Sequence, residues 1–258
     1  MIALRDATDG ALYGGKAAGL ASCLRAGLPV PDGWALDWRE ALDPTASTIE
    51  AVLALGPVAI RSSALDEDGA AASFAGQHRT EVNVVGPEPV RRAIAQVAAS
   101  ARAPSALAYR ARLGLSANPR MAVVVQPLVD ADCAGVLFTR HPVTGADERV
   151  AEAAWGLGET VVAGVVTPDV YRWSRTGARL ETRIGDKGVA IRPAPTGGCE
   201  EVVLGPERAR ARVLSDERLA ALDALAARCE STAGAAVDIE WAFVANRLFL
   251  LQSRPVTR

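Results

Sequence analysis

Short apolar runs of strand length recur along the chain, and stretches of helical composition lie between them. The apolar runs predict strands at residues 58–60, 121–126, 134–138, 150–154, 170–173, 180–184, 236–242 and 248–252. The helical stretches predict helices at residues 17–26, 88–101, 106–113 and 216–232, and a short helical or irregular piece at 49–55. Glycine and small residues predict a tight turn with a short helix at 156–164 and a loop at 193–201.

The order of these elements predicts the fold class. Strands with interspersed helices, but without a steady βαβ rhythm, favour an α+β (mixed α/β) fold over a doubly wound sheet. The stretch at 216–232 is amphipathic, because its apolar side chains fall on one helix face: Leu219, Leu222, Leu225, Ala226 and Cys229. The last two predicted strands flank a turn at residues 245–247, which predicts a hairpin.

Composition and charge reduce the range of functions that we expect for this chain. The chain has 258 residues, of which 50% are apolar, so it can build one large domain or two small lobes. A net charge of −2 gives no electrostatic reason to expect a nucleic acid or an anionic membrane as partner. The longest apolar run, at 161–166, is too short to span a bilayer, and residues 1–6 do not predict a secretory signal. The four cysteines are far apart and lack zinc spacing, so we expect a reducing, cytoplasmic location.

Residues 57–80 form the most informative stretch of the sequence. The apolar run at 58–60 leads into Arg61, and a Ser-Ser pair, an acidic turn and a small-residue segment follow it. Arg61 is therefore expected at a strand end beside a flexible loop. Because a guanidinium gives forked, charge-assisted hydrogen bonds, such an arginine suits a phosphate chain. The alternative is a surface arginine that follows a core strand.

A second candidate for anion binding lies near the start of the chain. Residues 10–16 fit G-x-x-x-x-G-K, but Ala17 stands where a P-loop needs Ser or Thr, and no apolar strand precedes the motif. We therefore reject a P-loop. What remains is Gly14-Gly15-Lys16 opening a helix, where outward-pointing amides and the lysine charge suit an anion. The alternative is a lysine in a solvated first turn.

The predicted C-terminal hairpin carries the candidate metal ligands. Asp238 and Glu240 project from the same face of one strand, and Gln252 and Arg254 share a face of the next. Two carboxylates, an amide oxygen and an arginine on facing positions can hold Mg²⁺ bridging nucleotide phosphates. The alternative is a polar face that meets water, with the aspartate and the arginine paired across it.

The motifs follow one another in an order that resembles one known family: G-G-K-A-A-G-L-A-S-C-L-R-A-G-L-P-V-P-D-G-W, V-A-I-R-S-S-A-L-D-E-D, S-F-A-G-Q-H-R-T, M-A-V-V-V-Q-P-L-V, A-G-V-L-F-T-R-H-P-V-T-G, E-A-A-W-G-L-G-E-T-V-V-A-G-V-V-T-P-D, and D-I-E-W-A followed by L-F-L-L-Q-S-R-P-V-T. This family is the N-terminal ATP-binding domain of phosphoenolpyruvate synthase and pyruvate phosphate dikinase, which also occurs in rifampicin phosphotransferase. The resemblance covers nearly the whole chain. It implies an ATP-grasp fold with ATP between two α+β lobes, here residues 1–120 and 121–258.

The resemblance also implies which residues contact the nucleotide. It assigns Lys16 and Arg61 to the ATP phosphates and makes both catalytic. Gly76 and Thr80 fall in the glycine-rich segment that covers the phosphates. Gln126 falls at the adenine end of the cleft.

The resemblance assigns metal binding and phosphoryl transfer to residues of the predicted C-terminal hairpin. Glu240 and Gln252 match the Mg²⁺ ligands of the family, with Asp238 beside them. Arg254 matches the catalytic arginine that steadies the transferred phosphoryl group.

Two departures from the family pattern shape the expected function. Full-length relatives carry a phosphorylatable histidine in a T-x-G-G-x-x-x-H motif, whereas the histidines here are His78 and His141, which lack that glycine-rich context. We therefore expect a histidine on a separate carrier chain as the partner. Relatives also usually carry a helical insertion where residues 35–56 form a short connector, so the cleft is more open or a partner covers it.

Three functions are compatible with the sequence. The leading one is an ATP-dependent phosphotransferase that passes a phosphoryl or pyrophosphoryl group from Mg·ATP to the carrier histidine. The second is direct phosphorylation or ligation of a small molecule. The third is a non-catalytic ATP-binding module, against which the intact set of Lys16, Arg61, Glu240, Gln252 and Arg254 argues.

Overall fold

Antiparallel sheets form the frame of the computed structural model, which describes residues 1–65, 79–116 and 118–256. The first sheet has the order β1-β2-β5-β3-β4. Its strands are β1 (Ile2–Ala3), β2 (Trp34–Leu36), β3 (Val58–Ala64), β4 (Thr80–Val84) and β5 (Met121–Pro127).

The remaining strands are β6 (Cys133–Phe138), β7 (Glu148–Trp155), β8 (Asp169–Ser174), β9 (Arg179–Arg183), β10 (Val189–Pro193), β11 (Cys199–Val203), β12 (Val237–Val244) and β13 (Arg247–Pro255). The second sheet has the order β13-β12-β6-β7-β8-β9. The β10–β11 pair forms a separate two-stranded hairpin, in which β11 is exposed along its whole length. Every strand pair within the three sheets of the described part is antiparallel.

The helices are α1 (Gly10–Arg25), α2 (Ala46–Leu53), α3 (Pro87–Ala99), α4 (Pro104–Arg112), α5 (Glu159–Val162), α6 (Pro206–Arg210) and α7 (Asp216–Ala233), with short 3-10 turns at Leu4–Asp6 and Ser100–Arg102. Side-chain oxygens of Asp9, Thr45 and Ser215 accept backbone N–H groups at the starts of α1, α2 and α7. Such caps satisfy donors that have no partner within the helix. Gly234, in the left-handed conformation, ends α7.

Both halves of the chain contribute to one large apolar core. Leu20 of α1 and Leu222 of α7 are buried in it together with Trp241 of β12, and Val124 of β5 adds the first sheet. A second core lies under the helices of the first half, with Ile94 of α3 among its members. The two sheets are therefore joined by shared apolar packing.

A buried ion pair fixes the segment that precedes α7. Lys187 and Asp169 are both fully buried and paired with each other. The Asp169 carboxylate also accepts hydrogen bonds from the Gly185 and Val213 amides and the Tyr171 hydroxyl, each at 2.9 Å. With so many donors around it, the buried carboxylate ties β8 to two separate loops.

Each strand and helix predicted from the apolar pattern is present in the structure, with ends shifted by four residues at most, except that α1 begins seven residues before the predicted start at residue 17. The predicted apolar face of α7 is buried at Leu222, Leu225, Ala226 and Cys229 and half-buried at Leu219. None of the helices in the described part combines the length and apolarity that a bilayer span requires.

Two predictions differ from the structure. The loop predicted at 193–201 instead joins and partly forms the β10–β11 hairpin. Arg61 lies inside β3 and not at its end, because the strand continues through two buried serines to Ala64. β5, the first strand after residue 120, pairs with β2 and β3 of the first sheet.

Candidate functional site

A cleft of about 680 Å³ lies between the two sheets, a size typical of small-ligand pockets. Strands β3, β4 and β5 and the start of α1 line one side, and α5, β10, β12 and β13 line the other. The polar and charged part of the lining includes Lys16, Arg61, Gln126, Glu240, Gln252 and Arg254, whereas the apolar part includes Val82, Val129, Leu157 and Ile191.

Arg61 connects the two sides of the cleft. Its Nη2 atom donates to Glu240 Oε2 at 2.6 Å and to Gln252 Oε1 at 3.1 Å, and its Nη1 atom donates to the Leu251 carbonyl. The side chain is only 11% exposed, so these charge-assisted bonds form with little competition from water. A guanidinium from the first sheet is thus held against both candidate metal ligands of the second.

The β12–β13 hairpin has the register that the alternation of its residues predicts. Glu240 lies opposite Gln252, and Asp238 lies opposite Arg254. Arg254 donates from Nε and Nη2 to Asp238 Oδ2 at 2.8 and 2.7 Å. The aspartate–arginine pairing considered as an alternative is therefore present, and Asp238 reaches the cleft through Arg254, which lines it.

Burial raises the pKa of Asp238 above its ordinary value, although Arg254 opposes this effect, and nearby Glu240 adds to the increase. Two carboxylates that disfavour each other's charge are stabilised by a cation placed between or beside them. The Glu240 carboxylate lies opposite the Gln252 side-chain amide, and both present oxygen ligands. Mg²⁺ prefers such oxygens when phosphate oxygens complete its coordination shell. The donor set therefore fits Mg²⁺ bound together with a phosphate chain.

The metal site would depend on the ligand, because the protein alone supplies few donors. Within residues 1–65, 79–116 and 118–256, no group of three or more His, Cys, Asp or Glu side chains could hold a metal ion. Glu240 and Gln252 need further oxygens, and a triphosphate can supply them.

Helix α1 is interrupted after its first turn, where the sequence predicts an anion site. Gly14 has φ 79° and ψ 164°, which breaks the helix at that point. The Ser63 hydroxyl of β3 donates to the Tyr13 carbonyl at 2.7 Å and accepts from the Ala17 amide at 3.0 Å. Ser63 therefore occupies the place of the helical hydrogen bond between Tyr13 and Ala17.

This interruption brings Lys16 to the cleft. Its Nζ atom donates to the carbonyl of Ser62, the next residue of β3 after Arg61, at 2.9 Å. A Cβ atom at Gly14 would lie 2.2 Å from the Ser63 carbonyl oxygen, so only glycine allows this approach of α1 to β3. Lys16 and Arg61 consequently line one cleft from two neighbouring elements.

Gln126 and Thr80 both line the cleft. Gln126 is 3% exposed and donates from Nε2 to the Pro31 carbonyl at 2.7 Å, so it also fixes the backbone at Pro31. Thr80 begins β4 and lies opposite Arg61 in the strand register.

His141 stands apart from this arrangement, whereas Gly76 and His78 lie outside the described residues. His141 lies between β6 and β7, where its Nδ1 atom accepts the Val143 and Thr144 amides at 3.2 Å. Its ring is thus part of a local turn.

Several residues that shape the cleft have no recognisable functional signal in the sequence. Ser63 is visible in the sequence only as half of a Ser-Ser pair, and Val82 and Ile191 only as isolated apolar residues. Glu159, at the start of α5, also lines the cleft. Burial raises its pKa, and repulsion from Glu81 adds to the increase. Ser63 and Glu159 lie within motifs of the family resemblance that assign them no role, and Val82 and Ile191 lie outside those motifs.

Residues 39–258 match the protein family described as pyruvate phosphate dikinase, AMP/ATP-binding domain. The chain is 34% identical to a probable phosphoenolpyruvate synthase of Archaeoglobus fulgidus, over 98% of this chain and 40% of the relative. It is 41% identical to a rifampicin phosphotransferase of Streptomyces sviceus, over 77% of this chain and 23% of the relative. The chain thus spans less than half the length of these curated relatives.

The solved structure of PH1788 from Pyrococcus horikoshii has a similar fold. Its TM-score is 0.51 at 14% identity, and the match covers 99% of this chain and 96% of that one. At this identity the similarity concerns the fold alone. Together with the family match and the cleft between two sheets, it confirms the predicted α+β, ATP-grasp fold class.

Proposed function

This chain belongs to the pyruvate phosphate dikinase AMP/ATP-binding domain family, and we propose that its cleft binds Mg·ATP and transfers phosphoryl groups from it. One observation carries the proposal: the Arg61 guanidinium of the first sheet meets Glu240 and Gln252 of the second inside the cleft. Cationic groups for phosphates and oxygen donors for a divalent cation therefore lie side by side, as phosphoryl transfer requires.

The polar part of the cleft has a role for each of its side chains. Lys16 and Arg61 bind the phosphate oxygens and neutralise the charge that develops on them. Thr80, which lies opposite Arg61 at the start of β4, contributes to covering the phosphates, and Gln126 holds the backbone at the adenine end.

The hairpin holds the metal and the group that is transferred. Glu240 and Gln252 ligate Mg²⁺, with Asp238 beside them, and Arg254 holds the transferring phosphoryl group. When bound, Mg²⁺ would neutralise part of the negative charge on the phosphates. The protein's part in the reaction is then mainly positioning and charge neutralisation.

Binding requires Arg61 to change partners. Its guanidinium donates to the same two oxygens that we assign to the metal. On nucleotide binding, we expect the guanidinium to turn to phosphate oxygens, which leaves the Glu240 and Gln252 oxygens available to hold the cation. Each carboxylate and each phosphate thereby keeps a cationic partner.

The phosphoryl acceptor in this proposal is a histidine on a separate carrier chain. His141 lies in a turn, with Nδ1 bonded to backbone amides, and does not line the cleft. In pyrophosphoryl transfer, the imidazole nitrogen bonds to the β-phosphorus, the bond between the α–β bridging oxygen and the β-phosphorus breaks, and AMP leaves. Direct transfer to a small molecule would instead leave ADP and would need no phosphoprotein.

Calorimetric titration with Mg·ATP tests the proposal. Glu240→Gln keeps the size of the side chain but removes its charge, so we expect about 10- to 100-fold weaker binding than in the wild type. Glu201→Gln makes the same chemical change on exposed β11, outside the cleft, and serves as the control with unchanged binding. Wild-type protein that fails to bind Mg·ATP would refute the proposed function.

Product analysis separates the two acceptor classes. Labelled ATP is incubated with the chain and cell extract from its source, and nucleotides and phosphoproteins are then resolved. AMP together with an acid-labile phosphoprotein supports the carrier histidine. ADP with a phosphorylated small molecule and no phosphoprotein supports direct transfer.

A further inference from the structure

Asn83 has a backbone conformation that is unusual for a strand residue. It lies within β4, yet its φ is +56°, in the left-handed region, and it is only 3% exposed. Asparagine tolerates this region better than most residues, but the conformation still has a cost that its surroundings must offset. The contacts of Asn83 show what offsets it.

Asn83 forms three hydrogen bonds to the turn of the β10–β11 hairpin. Its Nδ2 atom donates to the carbonyls of Ala194 at 2.7 Å and Gly198 at 2.6 Å. Its own carbonyl accepts from the Gly198 amide at 2.8 Å. A single residue of the first sheet therefore holds both ends of the turn at residues 194–198, and we refer to this contact as the Asn83 clasp.

The other end of the hairpin is attached to the second half of the chain. The Ile191 carbonyl accepts from the Leu157 amide at 3.0 Å, and the Ile191 amide donates to Thr160 Oγ1 at 3.3 Å. Arg192 donates to the Ala131 carbonyl at 3.0 Å, in the connection between the sheets. The hairpin is thus a bridge, fixed to the second half near Ile191 and to the first sheet by the clasp.

The clasp lies next to the apolar lining of the cleft. Val82, which precedes Asn83, and Ile191 pack against one apolar cluster with Ala131 and Leu157. All four of these residues line the cleft. Because Val82 belongs to the first sheet and Ile191 to the hairpin, the clasp sets how closely these two parts of the apolar wall approach each other.

We propose that Asn83 is a positioning residue for the nucleobase. The inference rests on the proposed function: the charged side chains of the cleft contact the phosphates, so the flat, weakly polar base faces the apolar wall. By holding the hairpin against β4, Asn83 keeps Val82 and Ile191 at the spacing that contacts the base. Asn83 does not contact the nucleotide itself, and the phosphate contacts do not depend on it.

Two substitutions separate the side-chain hydrogen bonds from the backbone conformation. Asn83→Gly permits the positive φ but removes the Nδ2 donor. Asn83→Asp keeps the size and the tolerance for this conformation but places an acceptor against two carbonyls. Asn246→Asp makes the same chemical change in the exposed turn between β12 and β13 and serves as the control.

The readout compares two ligands that share phosphates but differ in the base. In calorimetric titrations with Mg²⁺ present, we expect both Asn83 variants to bind ATP about tenfold more weakly than the wild type. This is the effect expected when one or two hydrogen bonds that position the hairpin are lost. Binding of inorganic tripolyphosphate should stay within about twofold of wild type. In hydrogen–deuterium exchange, the amides of residues 194–198 should exchange faster in Asn83→Gly than in wild type.

Equal loss for ATP and tripolyphosphate would overturn the inference, because Asn83 would then support the fold in general. Faster exchange with unchanged ATP affinity would also overturn it, since the clasp would not shape the base site. If the wild-type protein binds neither ligand, the proposed function is refuted. If the Asn83 variants lose affinity for ATP but not for tripolyphosphate, both the proposed function and the role of Asn83 are supported.

Discussion

Arg61 competes with a divalent cation for the same oxygens. Its guanidinium donates to Glu240 and Gln252, the two side chains that we propose as metal ligands. A guanidinium and a metal ion cannot occupy this place together, because both carry positive charge and need the same lone pairs. Nucleotide binding offers Arg61 other anionic partners, so metal and nucleotide should favour each other's binding.

Arg61→Met should therefore change metal and nucleotide affinity in opposite directions. Without nucleotide, Mn²⁺ should bind roughly threefold or more tightly, since the competing cation is gone. ATP should bind about tenfold more weakly, since a charge-assisted contact to phosphate is lost. Electron paramagnetic resonance measures Mn²⁺ binding, and calorimetry measures ATP binding.

The control for this experiment lies on the same hairpin. Arg247 is exposed at the start of β13 and contacts the Phe249 ring outside the cleft. Arg247→Met should leave both affinities unchanged. A parallel loss of Mn²⁺ and ATP binding in Arg61→Met would show that Arg61 acts by supporting the structure and does not compete with the cation.

Residue-level prediction from sequence works where the geometry is local. The shared faces of Asp238 with Glu240 and of Gln252 with Arg254 follow from strand alternation alone. The contact between Arg61 and Glu240 joins residues 179 positions apart, which no local pattern specifies. The burial of Lys187 is equally non-local, because a lysine enters a core only when its partner is already there.

At the scale of elements, the interruption of α1 determines how the helix meets the first sheet. Gly14 lets the chain leave the helical conformation, and the Ser63 hydroxyl bridges the groups that are left open. The helix therefore approaches β3 more closely than an unbroken helix with a side chain at position 14 allows. This approach places Lys16 in the cleft.

Gly14→Ala should destabilise the protein by about 2–4 kcal/mol, because the new Cβ meets the Ser63 carbonyl and the positive φ disfavours alanine. Gly10→Ala is the matched control, since a Cβ there meets nothing nearer than 3.9 Å. It should change stability by less than about 1 kcal/mol. Urea denaturation followed by circular dichroism measures both values, and equal effects would contradict this role of Gly14.

A helix or strand can be predicted from the sequence when it is long enough, and buried enough, to show a regular pattern of apolar residues. β5 reads as a strand because its M-A-V-V-V-Q run is buried throughout. β1 and β2 are only 2 and 3 residues long, too short to show a period. β11 is exposed at every position, so it has no apolar alternation, and its pairing with β10 depends on backbone hydrogen bonds.

For the whole molecule, shared packing matters more than the division into two sheets. The largest core contains Leu20 from the first half and Leu222 and Trp241 from the second. The pairing of β5 with β2 and β3 is a tertiary contact that the sequence does not display. The first sheet has a second core of its own that includes Ile94 of α3, but the largest core is built from both sheets.

The protein should therefore unfold in one cooperative transition. Differential scanning calorimetry should give a single peak in which the calorimetric and van't Hoff enthalpies agree. Two resolved peaks, or a calorimetric enthalpy well above the van't Hoff value, would show that the halves unfold separately and would contradict the shared core.

The exposure of β11 has a consequence for the protein in concentrated solution. A strand with one free edge offers unpaired backbone groups to another chain, which is a common route to aggregation. Glu200 and Glu201 lie on this strand beside the exposed Val202 and Val203. Repulsion between these carboxylates on two molecules opposes edge-to-edge pairing of their β11 strands. Salt screens this repulsion, so the protection against aggregation weakens as the salt concentration rises.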